Sequence, residues 1–145
     1  VCSLLEHKMA FICKQLERDK GLPLNWKDLN GSTLDQFSKY SSLASLPISF
    51  SAQPWQEIKH YWKVRNCIAH SDGLIENFKT DKDFMRYVTK NSIISKELKQ
   101  EQIDLTEQFC ADVTKTVRKF LRGVVEAYES QRQKESLKVE VLLKS

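Results

Sequence analysis

Residues that make tight turns are scarce in this chain, which has only four glycines and three prolines among its 145 residues. That scarcity leaves little room for a β architecture that is rich in turns. Apolar residues make up 41% of the chain and charged residues 29%, which is ordinary for a soluble globular protein. The composition therefore predicts a fold that is mainly all-α.

Cysteines are also few, and no two of them have the close spacing of a metal knuckle or a disulfide scaffold; they are Cys2, Cys13, Cys67 and Cys110. Carboxylates and histidines do not cluster at the spacing of metal ligands either. We therefore expect neither a metal nor a cofactor, and the scattered spacing of the cysteines favours a reducing, cytoplasmic location.

Long apolar runs are absent. No run approaches the roughly 20 residues that a membrane helix needs, and the start of the chain lacks the pattern of a signal peptide. We therefore expect neither membrane insertion nor secretion. The length predicts a single helical domain over residues 1–145, with a core at about 4–128 and a tail or edge strand at 132–145. A start at Val1 rather than methionine is compatible with missing flanking domains.

Apolar residues at helical spacing predict three helices besides the one described next. They lie at about Ser3–Asp19, around Phe37, and from Thr106 to about Gln131, and the last of these has the strongest pattern. Residues 81–90 can form a further short helix. Ile93 and Ile94, followed by Ile103 and Leu105, allow a small β-hairpin. Alternation at Leu137, Val139 and Val141 suits a strand or an ordered tail.

A tryptophan-rich helix is predicted to start near Pro54 and to run toward His70 before Gly73 stops it. Arg65 falls in the middle of its apolar arc, which consists of Trp55, Ile58, Tyr61, Trp62 and Ala69. Burying an unpaired guanidinium costs several kcal/mol, so we expect an anion to meet it. That anion is either a ligand or an internal carboxylate such as Glu6 or Asp112, unless Arg65 lies at the edge of the bundle.

A polar stripe follows the adjacent arc of the same helix, with Lys59, Lys63, Asn66 and His70 at steps of four, three and four residues. The helix macrodipole favours the imidazolium form of His70, which suits a general acid. The two lysines either hold a phosphate backbone or are simply solvated. Likewise, His70 is either a proton donor or a capping and packing residue.

On an ideal helix, the side chains of Arg65 and His70 are about 140° apart around the helix axis, so they do not share one face of a straight helix. Three arrangements bring them together. The helix unwinds before His70, the long side chain of Arg65 curls around, or a second copy of the chain completes the site. The third arrangement predicts a homodimer.

A second basic stripe lies opposite the apolar face of the long C-terminal helix and consists of Lys115, Arg118, Lys119 and Arg122. It either contacts an anionic partner, such as RNA or an acidic protein, or it is a solvated surface. The net charge of +4 permits an anionic partner without requiring one.

The segment Arg65-Asn66-Cys67-Ile68-Ala69-His70 resembles the signature of the HEPN superfamily, in which an arginine followed by a polar residue precedes a histidine by four to six positions. The aromatic helix before it, the closing His70-Ser71-Asp72-Gly73 and the long helix afterwards resemble bacterial members. The resemblance covers most of the chain from Leu4 to Tyr128. It implies a helical bundle that pairs so that two motifs face each other.

Many proteins of this family are metal-independent endoribonucleases that act as toxins or antiphage effectors. The resemblance then implies that Arg65 clamps the phosphate, that Asn66 orients it or the histidine, and that two copies of His70 transfer the protons. Lys59 and Lys63 would bind RNA, and a protein antitoxin is a further expected partner. The alternative is a catalytically inactive HEPN-like module that binds RNA, a nucleotide or a protein and dimerises.

Overall fold

A computed structural model describes residues 1–95 and 100–144 of the chain. Within these residues the structure is 73% helical, with five α-helices and one small antiparallel sheet of two strands. The prediction of a mainly all-α fold is therefore confirmed. None of the helices in the described part of the chain is long and apolar enough to cross a membrane.

Five helices and a short hairpin follow one another along the chain. They are α1 (Cys2–Lys20), α2 (Thr33–Leu43), α3 (Gln53–Ser71), α4 (Lys82–Lys90), β1 (Ile94–Ser95), β2 (Gln102–Ile103) and α5 (Glu107–Lys144). The predicted helices and the predicted hairpin are confirmed. In the hairpin, Ile94 lies opposite Ile103.

The chain forms two compact units. The first contains Val1–Cys2 and Ser51–Arg118, and the second contains Ser3–Phe50 and Lys119–Ser145. All the residues of the predicted site belong to the first unit. The single domain predicted over residues 1–145 stays a prediction.

The second unit is built from α1, α2 and most of α5. The aromatic rings of Phe37 and Phe120 pack edge to face, with their centroids 6.2 Å apart. Gln131 donates a hydrogen bond of 3.0 Å to the backbone carbonyl of Ala44, just after α2. Lys20, at the end of α1, forms an ion pair with Glu135. These contacts hold α5 against the two shorter helices of this unit.

The structure corrects the prediction for the C-terminal residues. Instead of a tail or edge strand at 132–145, α5 continues without a break to Lys144. The alternating residues Leu137, Val139 and Val141 are all more than half exposed, so their alternation does not mark a buried strand face. No glycine or proline follows Gly123, and the chain therefore has no residue that would stop the helix near Gln131.

In the first unit, the end of α3 is fixed by a turn and by the hairpin. Asp72 adopts the left-handed conformation (φ 49°), and Gly73 (φ 79°) donates a hydrogen bond of 3.1 Å to the carbonyl of Cys67. The amide of Ile103 donates to the carbonyl of Gly73 at 2.8 Å. A side chain at Gly73 would approach Cγ of Gln102 to 3.1 Å, so glycine suits both the turn and the close strand. The predicted stop at Gly73 is confirmed.

Candidate functional site

Helix α3 carries Arg65, Asn66 and His70 in one regular stretch that extends to Ser71. The helix does not unwind before His70, which excludes the first of the three arrangements considered from the sequence. Trp55, Ile58, Tyr61 and Trp62 are buried as predicted, but Ala69 is exposed. The last turn of α3 therefore leaves the packed part of its unit, and the apolar arc ends before His70.

The guanidinium of Arg65 contacts one residue of the apolar arc and one residue of the polar stripe. Its Nη1 donates a hydrogen bond of 3.0 Å to Oδ1 of Asn66. Its Cζ lies 5.6 Å from the centre of the Trp62 ring, within the range of a cation–π contact. Arg65 as a residue is half-buried. The Arg65 side chain thus reaches a member of the polar stripe, while the second and third arrangements both stay predictions.

No carboxylate of the described residues forms an ion pair with Arg65. Asp112, one of the carboxylates expected as an internal partner, accepts a hydrogen bond of 3.1 Å from Gln108 instead. Among the described residues of the first unit, the interpretation in which an internal carboxylate such as Asp112 neutralises Arg65 is therefore wrong. Within the described residues of its unit, Arg65 is thus a half-buried cation that contacts an amide oxygen and a ring face.

The imidazole of His70 is exposed on the last turn of α3. Its ring forms no hydrogen bond with any residue that the structure describes. The end of the helix is capped by the backbone N–H groups of Asp72 and Gly73, both of which donate to the carbonyl of Cys67. His70 therefore does not have the capping or packing role considered from the sequence, and its ring is accessible to a ligand.

The two lysines of the polar stripe differ in their surroundings. Nζ of Lys63 lies 2.7 Å from Oδ2 of Asp81, the N-cap of α4. This hydrogen bond, with that from the amide of Phe84, holds the pKa of Asp81 below its ordinary value. Lys59 is exposed, and its Nζ is 3.4 Å from Oε1 of Gln56. Lys63 therefore joins two helices, whereas Lys59 forms no ion pair with any residue that the structure describes.

Cys67, which lies between Asn66 and His70, is a packing residue. Its side chain is fully buried, and burial raises the pKa of its thiol above the ordinary value. Its Sγ donates to the carbonyl of Leu74 at 3.5 Å, across the turn that closes α3. A buried thiol that stays protonated is not a nucleophile at neutral pH.

A cluster around His60 was not predicted from the sequence. Nε2 of His60 lies 2.9 Å from Oδ2 of Asp83, and its ring stacks on Tyr87 with the centroids 4.2 Å apart. The hydroxyl of Tyr87 donates to Oε2 of Glu57 at 3.1 Å. Burial, followed by the charge of Glu57, raises the pKa of Tyr87 well above its ordinary value. The cluster joins α3 to α4, and its only signal in the sequence was a histidine beside the polar stripe.

No group of three or more His, Cys, Asp or Glu side chains within residues 1–95 and 100–144 is placed to hold a metal ion. No protein family model matches the chain, and no curated protein or solved structure is significantly similar to it. The functional assignment therefore depends on the chemistry of α3 and its neighbours.

Proposed function

We propose that this chain is a metal-independent endoribonuclease of the HEPN type, which cleaves RNA by attack of a ribose 2′-hydroxyl on the adjacent phosphate. One observation carries the proposal. The Arg65 guanidinium has no carboxylate partner among the described residues and is held at Asn66, on the stripe that ends at the exposed imidazole of His70. An unpaired cation beside an accessible acid–base group suits phosphodiester chemistry.

Each of the three side chains has a role in this reaction. Arg65 binds the non-bridging phosphate oxygens and stabilises the charge that develops on them. Asn66 positions the guanidinium through its Oδ1, and its NH₂ group remains a donor for the phosphate or the ribose. His70 either takes the proton from the 2′-hydroxyl or gives one to the departing 5′-oxygen.

The reaction needs both a base and an acid, and one chain offers a single accessible imidazole at the motif. The ring of His60 is engaged by Asp83 and Tyr87 and is mostly buried, so it does not supply the second group. We propose that a second copy of the chain contributes its own His70 across a two-fold axis, which makes the active form a homodimer. Cleavage per mole of chain should then fall when the enzyme is diluted below its dimerisation constant.

The proposal extends to the biological setting. RNA is the substrate, and Lys59 binds a phosphate that flanks the scissile one. Lys63 can bind phosphate only by releasing Asp81, so we assign it mainly to positioning α3 against α4. The proposed role is that of a cytoplasmic toxin or antiphage effector, with a protein antitoxin as a further partner.

Incubation of purified protein with RNA in excess chelator tests the nuclease. We expect products that end in a 2′,3′-cyclic phosphate, and loss of at least about 100-fold in rate for His70→Ala. His7→Ala is the matched control, because His7 is likewise exposed on a helix and forms no ring contact with the described residues. Equal cleavage by wild type and His70→Ala would show a contaminating nuclease and contradict the proposal.

A second function is favoured by one observation: nothing in the described part of the chain orients the His70 ring, whereas catalytic imidazoles are usually held by a third group. In this alternative the chain is a catalytically inactive HEPN-like module that binds RNA, a nucleotide or a protein and dimerises. RNA binding without cleavage, weakened by Arg65→Ala and unchanged by His70→Ala, would favour it.

A further inference from the structure

The outer face of α4 carries a row of cations that the proposed chemistry does not use. Lys82, Arg86 and Lys90 recur every four residues, so their side chains lie on one face of the helix, and all three are exposed. None of them forms an ion pair with a residue that the structure describes. These three residues are referred to as the α4 basic face.

The nearby carboxylates of α3 and α4 have partners outside this face. Asp81 is bound by Lys63, Asp83 by His60, and Glu57 by the hydroxyl of Tyr87, so all three are engaged where α4 packs on α3. Like charges four residues apart destabilise a helix by a few tenths of a kcal/mol per pair. The described residues thus leave this row of cations without an ion pair, at a small cost in stability.

The same three contacts show where the α4 basic face lies along α3 relative to Arg65 and His70. Residues 57 and 60 of α3 contact residues 87 and 83 of α4, and residue 63 contacts the N-cap of α4, residue 81, so the two helices are antiparallel. Lys82 consequently lies at the end of the basic face nearer to His70. The rise of an α-helix places His70 about 10 Å beyond Lys63 along α3, and Lys90 about 12 Å beyond Lys82 in the opposite direction.

We infer that the α4 basic face binds the phosphate backbone of single-stranded RNA whose scissile bond lies at Arg65 and His70. This inference deepens the proposed function and rests on it, because it assigns a binding surface for the same substrate. Side chains four residues apart on a helix are about 6 Å apart, a separation that lets successive cations contact neighbouring phosphates. Contacts of this kind depend on salt and not on base sequence.

The experiment compares two double variants with matched chemistry. Lys82→Ala/Arg86→Ala removes two cations from the α4 basic face. Lys14→Ala/Arg18→Ala removes the same residue types at the same spacing from the exposed side of α1, in the other unit. Both changes lower the net charge equally, so a general effect of charge acts on both variants alike.

Binding is measured by fluorescence anisotropy with a labelled single-stranded oligoribonucleotide of about 16 nucleotides, long enough to reach from the motif across α4. All variants carry His70→Ala, so that the RNA stays intact. We expect the Kd of the α4 variant to rise about tenfold. Its slope of log K against log salt should fall by about 1.4, which corresponds to two phosphate contacts. The α1 control should match its parent.

Equal losses in the two double variants, or no loss in the α4 variant, would overturn the inference. Unchanged RNA binding together with lost binding of poly-glutamate would also overturn it, because the face would then recognise an acidic protein. Circular dichroism and thermal unfolding establish that each variant is folded, and Lys82→Gln/Arg86→Gln replaces the alanine pair if that pair does not fold.

The two proposals fail in distinguishable ways. If wild-type protein never cuts RNA but the α4 variant selectively loses RNA binding, the nuclease proposal is contradicted and the binding surface is supported. If the α4 variant, with His70 intact, cuts a dinucleotide substrate at the wild-type rate and a long RNA more slowly, both proposals are supported, since a dinucleotide is too short to reach α4.

Discussion

Arg65 donates a hydrogen bond of 3.0 Å from its Nη1 to Oδ1 of the next residue, Asn66. Consecutive residues of a helix diverge by about 100°, so this bond draws the guanidinium from the apolar arc to the edge of the polar stripe. His70 follows Asn66 by four residues and lies on that same stripe. Asn66 therefore holds the guanidinium at the edge of the stripe that contains His70, which is the basis of its proposed positioning role.

Asn66→Asp tests this relationship with almost no change in side-chain shape. The new carboxylate would form an ion pair with Arg65 and repel the substrate phosphate, so we expect a fall in kcat/KM of at least about tenfold. The free energy of unfolding should change by less than about 0.5 kcal/mol, since the residue is not buried. Asn30→Asp, an exposed site in the other unit, controls for the added charge, and equal rates for the two variants would contradict the assigned role.

Arg65→Lys retains the positive charge but loses the planar group that stacks on Trp62 and reaches Asn66. We expect RNA cleavage to fall about 100-fold while RNA binding weakens much less, because lysine would replace the proposed bidentate phosphate contact with a point charge. Single-turnover kinetics and anisotropy separate the two effects. Arg18→Lys on α1 serves as the control, and full activity of Arg65→Lys would show that any cation at this position suffices.

Asp81 links α3 to α4, because it caps α4 and forms an ion pair with Lys63 of α3. Asp81→Ala should lower the free energy of unfolding by about 1 kcal/mol, whereas Asp81→Asn, which can still cap, should cost less. Urea unfolding of both variants measures the difference. If the two substitutions cost the same, the ion pair and not the cap carries the stability.

The pH dependence of the Asp81 contribution has a definite sign. Its pKa is lowered from the ordinary value of 3.8, chiefly by the hydrogen bond from Lys63 and then by that from the amide of Phe84. The stability that this carboxylate provides is therefore complete above about pH 4 and is lost as the pH falls through the lowered pKa. Asp81→Asn should remove this part of the acid sensitivity, which urea unfolding at a series of pH values can measure.

The four thiols should differ sharply in reactivity. Cys110 is exposed, whereas Cys13 and Cys67 are buried. Burial, followed by the charge of Glu17, raises the pKa of Cys13 to about 12, and burial alone raises that of Cys67. Because a raised pKa keeps a thiol protonated, we expect folded protein at pH 8 to react rapidly with Ellman's reagent at Cys110 and slowly at both buried sites. Rapid labelling that disappears in Cys67→Ala would contradict the packing role of Cys67.

Much of the fold could be predicted because its signals are local. The apolar spacing of Leu5, Met9, Ile12 and Leu16 predicted α1, and the same rule identified the start of α5 near Thr106. It failed for the C-terminal residues, where the alternation of Leu137, Val139 and Val141 favoured a strand. An alternating pattern indicates a strand only where a sheet buries one face, and in this chain those residues are exposed on a continuing helix.

The sequence by itself determined which residues of α3 share a face and where the helix ends, because helical phase and the turn at Gly73 depend only on residues close in the chain. Only the tertiary structure decided the partners of the side chains. Lys63 meets Asp81 and His60 meets Asp83 because α4 packs beside α3. A helical wheel fixes the direction of each Cβ atom but not where a long side chain ends. The hydrogen bond from Arg65 to Asn66 was therefore identified only from the structure.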